Sequence, residues 1–299
     1  MGKLNFVSVA ATVCLIVSCG DSSSNNDVLV VGSNNGSNNG GSNINDSCPP
    51  EARPVYVVQA DLDNPTAQGK LVRFNARDHT FTDIGQLNCP ASAGATPFSM
   101  SVDRDANAWV LYDGGQLFKV STTDASCEAT SYQPGQQGYD LFGMGFVLNN
   151  PNREDETLYI AGGAQVDVGQ PRIGYLTFPD LTVHDSAPIN GWPEMSGTAK
   201  AELWAFFPNT DPPRVAQIVP ATGEETQTYE VTGISGQPNA WAFAHWGGDF
   251  YLFYKSQSDP STRVFEVHGD TGQTEEILSD TGRYIVGAGV STCAPTIIQ

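Results

Sequence analysis

Hydrophobic and polar positions alternate along most of the chain after residue 47, in short runs broken by Gly, Asn, Asp and Pro. A period of two over such runs predicts β-strands with tight turns between them. The clearest unit is Arg263 to Asp280, RVFEVHGDTGQTEEILSD: a strand, an Asp-Thr-Gly turn and a returning strand. Similar hairpins begin at Lys70, Gln116, Arg172 and Arg214, at a mean spacing of about 48 residues. Each of the later hairpins is preceded by another strand pair. In Phe98 to Tyr112, Phe98, Met100 and Val102 alternate with serines, Asp103 to Asn107 makes the turn, and Ala108 to Tyr112 returns. Leu141–Leu148 with Thr157–Ala161, Gly197–Ala201 with Glu202–Phe207, and Ala240–Trp246 with Phe250–Tyr254 read as its equivalents. No helical periodicity of useful length appears.

Units of four short strands at this period predict the blades of a propeller. The first unit lacks an inner strand, since Arg53–Ala60 can serve only as its second. The last unit is followed by one strand too many, Arg283–Thr292. The two irregularities complete each other if the C-terminal strand becomes the inner strand of the first blade. The expectation is therefore an all-β, five-bladed β-propeller over residues 48–299, its ring closed by the C-terminal strand. A β-sandwich fits the strands but not the fixed period. Segments such as DRDANAWVL (103–111) and VFEVHGDTGQTEEI (264–277) resemble the degenerate propeller repeats of secreted bacterial proteins. That resemblance implies a fold and leaves function open, because propellers host many unrelated activities.

The N-terminus carries an address. Lys3 precedes an apolar core, Phe6 to Val17, that is too short to span a bilayer comfortably. The following Ile16-Val17-Ser18-Cys19 resembles the lipobox of bacterial lipoproteins. The resemblance implies that residues 1–18 are a cleaved signal peptide and that Cys19 receives the lipid anchor, with acyl chains including palmitate. Gly20 stands where an Asp would mark inner-membrane retention in that family, so the outer membrane is favoured. Residues 19–47, rich in Ser, Asn, Gly and Asp, cannot bury enough apolar surface to fold. They are expected to form a tether with a random-coil reach of roughly 30 Å. Val28 to Val31 interrupts this composition without an evident reason.

Thirty-three acidic residues against 14 Lys and Arg give a formal charge of −19. A chain so acidic repels phosphate, which excludes sequence-independent nucleic-acid binding. Four cysteines remain after processing, an even number that suits disulfides in an exported protein. In a closed ring, Cys48 and Cys293 meet at the two chain ends, and Cys89 and Cys127 lie in the outer strands of neighbouring blades. These are the expected pairs. A zinc site has no CxxC and no paired His to support it.

Candidate chemistry is sparse, with no nucleophile elbow, zincin motif or P-loop. Asp103, Asp105 and Asn107 have the D-x-D-x-N spacing of a calcium loop, but Ala108 and Gly114 stand where a full loop needs Gly and Glu. The same residue types suit a hydrogen-bonded turn. Asp61, Asp63 and Asn64 form a weaker acidic loop. No other cofactor is expected. His79, His184 and His268 fall at hairpin turns in different blades, which should keep them apart on the rim, while His245 lies near the end of an inner strand. Propeller ligands commonly bind where the inner strands begin. The loops arriving there carry Asp140, Trp192, Glu194, Asn239 and Arg283, a set suited to a sugar or a peptide. These features together describe a lipid-anchored, monomeric envelope module that presents a propeller to a protein or glycan partner. A propeller lyase or hydrolase is the alternative.

Overall fold

The computed structural model describes residues 47–61, 69–164 and 169–297. The expected signal peptide and Cys19, nearly all of the expected tether, Asp63 and Asn64 lie outside the described residues. The first blade contributes β1 (Val55–Ala60), β2 (Lys70–Asn75) and β3 (Thr80–Gln86). The second contains β4 (Pro97–Val102), β5 (Asn107–Tyr112), β6 (Leu117–Ser121) and β7 (Cys127–Ala129). The third is β8 (Leu141–Leu148), β9 (Glu156–Gly163), β10 (Arg172–Thr177) and β11 (Thr182–Pro188). The fourth is β12 (Glu194–Gly197), β13 (Leu203–Phe207), β14 (Arg214–Val219) and β15 (Glu224–Glu230). The fifth is β16 (Pro238–Trp246), β17 (Asp249–Ser256), β18 (Arg263–Val267) and β19 (Thr274–Leu278), followed by β20 (Tyr284–Gly289).

Each blade is a four-stranded antiparallel meander, and β20 pairs with β1 as the inner strand of the first blade. The ring thus closes as the unpaired strands at the two ends require. Neighbouring inner strands contact one another around the axis, β20 to β4, β8, β12, β16 and back to β20. Each blade is sandwiched between two others, so its second strand is buried on both faces. This is why β17 reads FYLFY without alternation, every one of those five residues being buried. Outer strands have only one packed face and turn polar, as in EETQTYE of β15.

The core is five apolar layers, one between each pair of blades. Val57, Phe74, Ala244, Tyr251 and Phe253 belong to the layer between the first and fifth blades. Val58, Leu71, Met100 and Val110 belong to the next layer. Packing at the axis depends on missing side chains. A Cβ on Gly143 would lie 2.2 Å from the carbonyl oxygen of Pro193. One on Gly287 would meet the backbone nitrogen of Met100 at 2.9 Å.

The blades repeat an electrostatic detail as well. A basic residue opening the third strand pairs with an acid on the outer strand in Lys70–Asp83, Arg172–Asp185, Arg214–Glu225 and Arg263–Glu276. Such partly exposed pairs contribute well under about 1 kcal/mol each, so they fix register more than stability.

Both expected disulfides form, Cys48–Cys293 and Cys89–Cys127. Two disulfides suit an oxidising compartment outside the cytosol. Among the described residues no helix is long and apolar enough to cross a membrane. Two of the boundaries that differ from the sequence reading lie at the starts of inner strands. The inner strand of the fourth blade is Glu194–Gly197, and Gly197 to Ala201, expected to be that strand, leads into its turn. Asn239, expected in a loop, lies inside β16.

Near the disulfide, the carboxylate of Glu156 accepts hydrogen bonds from the Arg104 backbone N–H at 3.0 Å and from Thr292 Oγ1 at 2.8 Å. Burial, with the charge of Asp103 adding to it, pushes its pKa up to about 7. The folded state therefore holds this proton more tightly than the unfolded chain, where a Glu titrates near 4.3. Stability from this group is fully present below that value and is lost as pH rises through about 7. Between pH 5 and pH 8 the native protein should lose about 2 kcal/mol relative to Glu156→Gln. Denaturation midpoints across that range measure it, and parallel curves for the two proteins would remove Glu156 as the cause.

Candidate functional site

The inner strands begin at one end of the axis and enclose there a cavity of about 850 Å³. Pro97 and Phe98 of β4, Glu194 of β12, Asn239 and Trp241 of β16, and Tyr284 of β20 line it. Asn239 and Trp241 share a face of β16 because they are two residues apart. The Asn239 amide donates to the Tyr284 hydroxyl at 3.1 Å, joining the fifth blade to the closing strand. Phe98, Trp241 and Tyr284 are each only partly buried, so their rings border the open space. Asn209, Gln237 and Gln257 also line it.

Glu194 is the one acidic side chain of the lining that is buried, at 3% exposure. Ser99 Oγ donates to its Oε2 at 2.8 Å from the second blade, and the Met144 backbone N–H reaches it from the third. Three blades thus meet at one carboxyl. Burial holds its pKa well above the usual carboxylate range, against the opposing effect of those two hydrogen bonds. The group is suited to donating a proton or a hydrogen bond into the cavity.

The remaining expected residues are placed elsewhere. Trp192 is 5% exposed and packs beside Gly163, so it belongs to the interior. Asp140 is half-buried behind the short helical turn Gln136–Gly138 and does not line the cavity. Arg283 donates to Gln59 Oε1 at 2.5 Å and pairs with Asp83 at 2.8 Å, which ties the closing strand to the first blade. Of the five, Glu194 and Asn239 are brought together in the cavity. Trp192 was the aromatic expected here, and the rings of Phe98, Trp241 and Tyr284 were not, although the two-residue spacing of Asn239 and Trp241 placed that tryptophan beside a residue that was.

At the opposite end, Asp103 Oδ1 accepts the Asn107 backbone N–H at 2.8 Å, and its Oδ2 accepts Trp109 Nε1 at 2.9 Å. The Asn107 amide also donates to both oxygens, and Asp105 is exposed. The donors of the turn itself engage this carboxylate. His245 is 6% exposed, its backbone N–H donating to Ser196 Oγ at 3.0 Å. Burial, aided by the charge of Lys200, holds its pKa down at about 4, so the imidazole is neutral at pH 7. It stands edge-on to Phe250, with ring centroids 5.4 Å apart.

The fold and the axial cavity define a five-bladed β-propeller with a ligand-sized mouth. No protein-family model matches the sequence, and no curated protein matches it. Similar solved structures include TolB from Acinetobacter baumannii, at 11% identity over 78% of this chain and 54% of that chain, TM-score 0.46. The chain thus spans about half the length of the TolB chain. A nidogen/laminin complex matches at 14% identity over 78% of this chain and 80% of that one, TM-score 0.46. XC5397 from Xanthomonas campestris, a gluconolactonase, matches at 12% identity over 78% of each chain, TM-score 0.45.

Proposed function

We propose that the protein is a lipid-anchored module of the cell envelope that binds a glycan at the mouth of its propeller. The lining of the mouth carries this reading: three partly exposed aromatic rings beside four amides and a buried acid. The C–H faces of a sugar ring stack on aromatic side chains, and its hydroxyls exchange hydrogen bonds with amides and carboxyls. The anchor rests on the lipobox-like Ile16–Cys19, and the two disulfides agree with an exported protein. Replacing Cys19 by Ala should shift the protein from the membrane to the soluble fraction; unchanged sedimentation would remove the anchor.

The raised pKa of Glu194 favours a second reading, a lyase or hydrolase in which this carboxyl serves as the acid. One experiment separates the two. Envelope glycans are titrated against the parent, Trp241→Ala and Glu194→Gln, with binding and chain cleavage both measured. A binding module loses affinity at least about tenfold in Trp241→Ala and cleaves nothing. An enzyme shows cleavage that Glu194→Gln abolishes while binding persists. Absence of binding to every envelope glycan would overturn the mouth as a glycan site.

A further inference from the structure

The face opposite the mouth carries a second constellation. Asp249 opens β17, while Glu266 and His268 lie two residues apart at the end of β18, the neighbouring strand. The pleat turns these side chains to one face of the fifth blade. One ligand atom from each lies within 4.8 Å of the others. From the first blade, His79 reaches the same place across the blade boundary, its Nε2 4.0 Å from Glu266 Oε2. The sequence reading kept the histidines apart on the rim. The ring brings His79 and His268 to the same carboxylate because the first and last blades are neighbours.

The donors face one another without bonding. His268 Nδ1 is 3.7 Å from Asp249 Oδ1, and His79 is farther still from Glu266. Both separations exceed a hydrogen bond. Other groups hold the carboxylates in position. The Gly269 backbone N–H donates to Asp249 Oδ1 at 3.0 Å. The Tyr251 hydroxyl donates to Glu266 Oε1 at 2.9 Å and also lies 3.2 Å from the Ala76 carbonyl of the first blade. Two carboxylates fixed from behind, with an imidazole beside them, are how protein ligands await a metal ion. Donor atoms around tetrahedral zinc stand about 3.3 Å apart, so these groups need only a small inward adjustment. Calcium, which takes six to eight oxygens, suits the imidazole poorly. Arg77, whose guanidinium lies over the Trp246 ring at 5.6 Å, is the cation nearest in sequence to His79, and its charge also acts on Tyr251.

We propose that Asp249, Glu266 and His268 bind a divalent transition-metal ion such as Zn2+, with His79 as a further donor from the first blade. The ion clasps the fifth blade to the first beside the seam of the ring. The site stands apart from the mouth and does not depend on what binds there.

The test titrates Zn2+ into the full chain after treatment with a chelator, following heat release and thermal unfolding. The expected result is one saturating equivalent and a melting temperature raised by roughly 5 °C at a hundredfold excess over Kd. His268→Ala should weaken binding at least tenfold, and Ca2+ should not compete. His79→Gln should weaken it by a smaller factor and reduce the thermal shift. Unfolding of each variant without metal shows whether it folds; if His268→Ala does not, Asp249→Asn takes its place. No saturable binding, or unchanged affinity in the folded variants, overturns the site.

Discussion

Replacing Cys48 and Cys293 together by Ser should cost about 5 kcal/mol of stability and lower the melting temperature by roughly 10–15 °C. The two cysteines are 245 residues apart in sequence, and their Cα atoms are 5.9 Å apart in the fold. A link across so long a loop removes much of the freedom of the unfolded chain, and in the entropy account that loss rises with loop length. The native side of the balance also changes, because both cysteines are buried, at 7% and 4% exposure, against Ala52. The second disulfide, Cys89–Cys127, spans only 38 residues and joins two neighbouring blades. Its removal should cost roughly 1.5–2 kcal/mol less in the same account. Scanning calorimetry of the two double variants orders them. Equal losses would show that strain or residual structure, and not loop length, sets the effect.

Gly143→Ala should destabilise the ring by about 3 kcal/mol, near the upper end of overpacking costs. The added carbon would lie 2.2 Å from the Pro193 carbonyl oxygen and 2.9 Å from Glu194 Cα. Both are backbone atoms at the start of the adjacent inner strand and cannot rotate away. Relief requires the third and fourth blades to separate, which loosens the layer holding Val147, Ile173 and Met195. The same displacement pulls Glu194 from the Met144 N–H and from Ser99. Ligand affinity at the mouth should therefore fall together with stability. Gly94 is the control: unlike Gly143 it adopts a positive φ, and nothing lies within 4 Å of its added carbon. Gly94→Ala should cost only the conformational strain of an exposed turn, roughly 1 kcal/mol. Similar losses in both variants would show that crowding at the axis is not the cause.

The strand order was legible because each blade repeats its own punctuation. Lys70, Arg172, Arg214 and Arg263 open the third strands, and each pairs with an acid on the returning strand. Ring closure followed from counting strands, and the disulfides followed from the closure. The mouth was harder to read. β12 is four residues long and almost wholly buried, and its contacts with the third blade decide where it starts, which no local alternation reveals. Trp192 and Glu194 differ by two positions, yet one fills the interior beside Gly163 and the other ends at the cavity. The direction of a side chain at the end of an inner strand depends on how the next blade packs. The partnership of His79 with Glu266 needs the whole ring, since 187 positions separate them in sequence.

The chain enters the ring beside Cys48, at the end of the axis opposite the cavity. A pull between an attachment upstream of Cys48 and a ligand held at the mouth therefore runs along β1 and β20, parallel to both strands. In that direction the hydrogen bonds of the β1–β20 ladder bear tension together and do not open one after another. The disulfide passes part of that tension straight into the segment after β20, so the first and last strands are drawn as one unit. The covalent seam thus keeps the ring whole under mechanical load, where a ladder between free ends would peel.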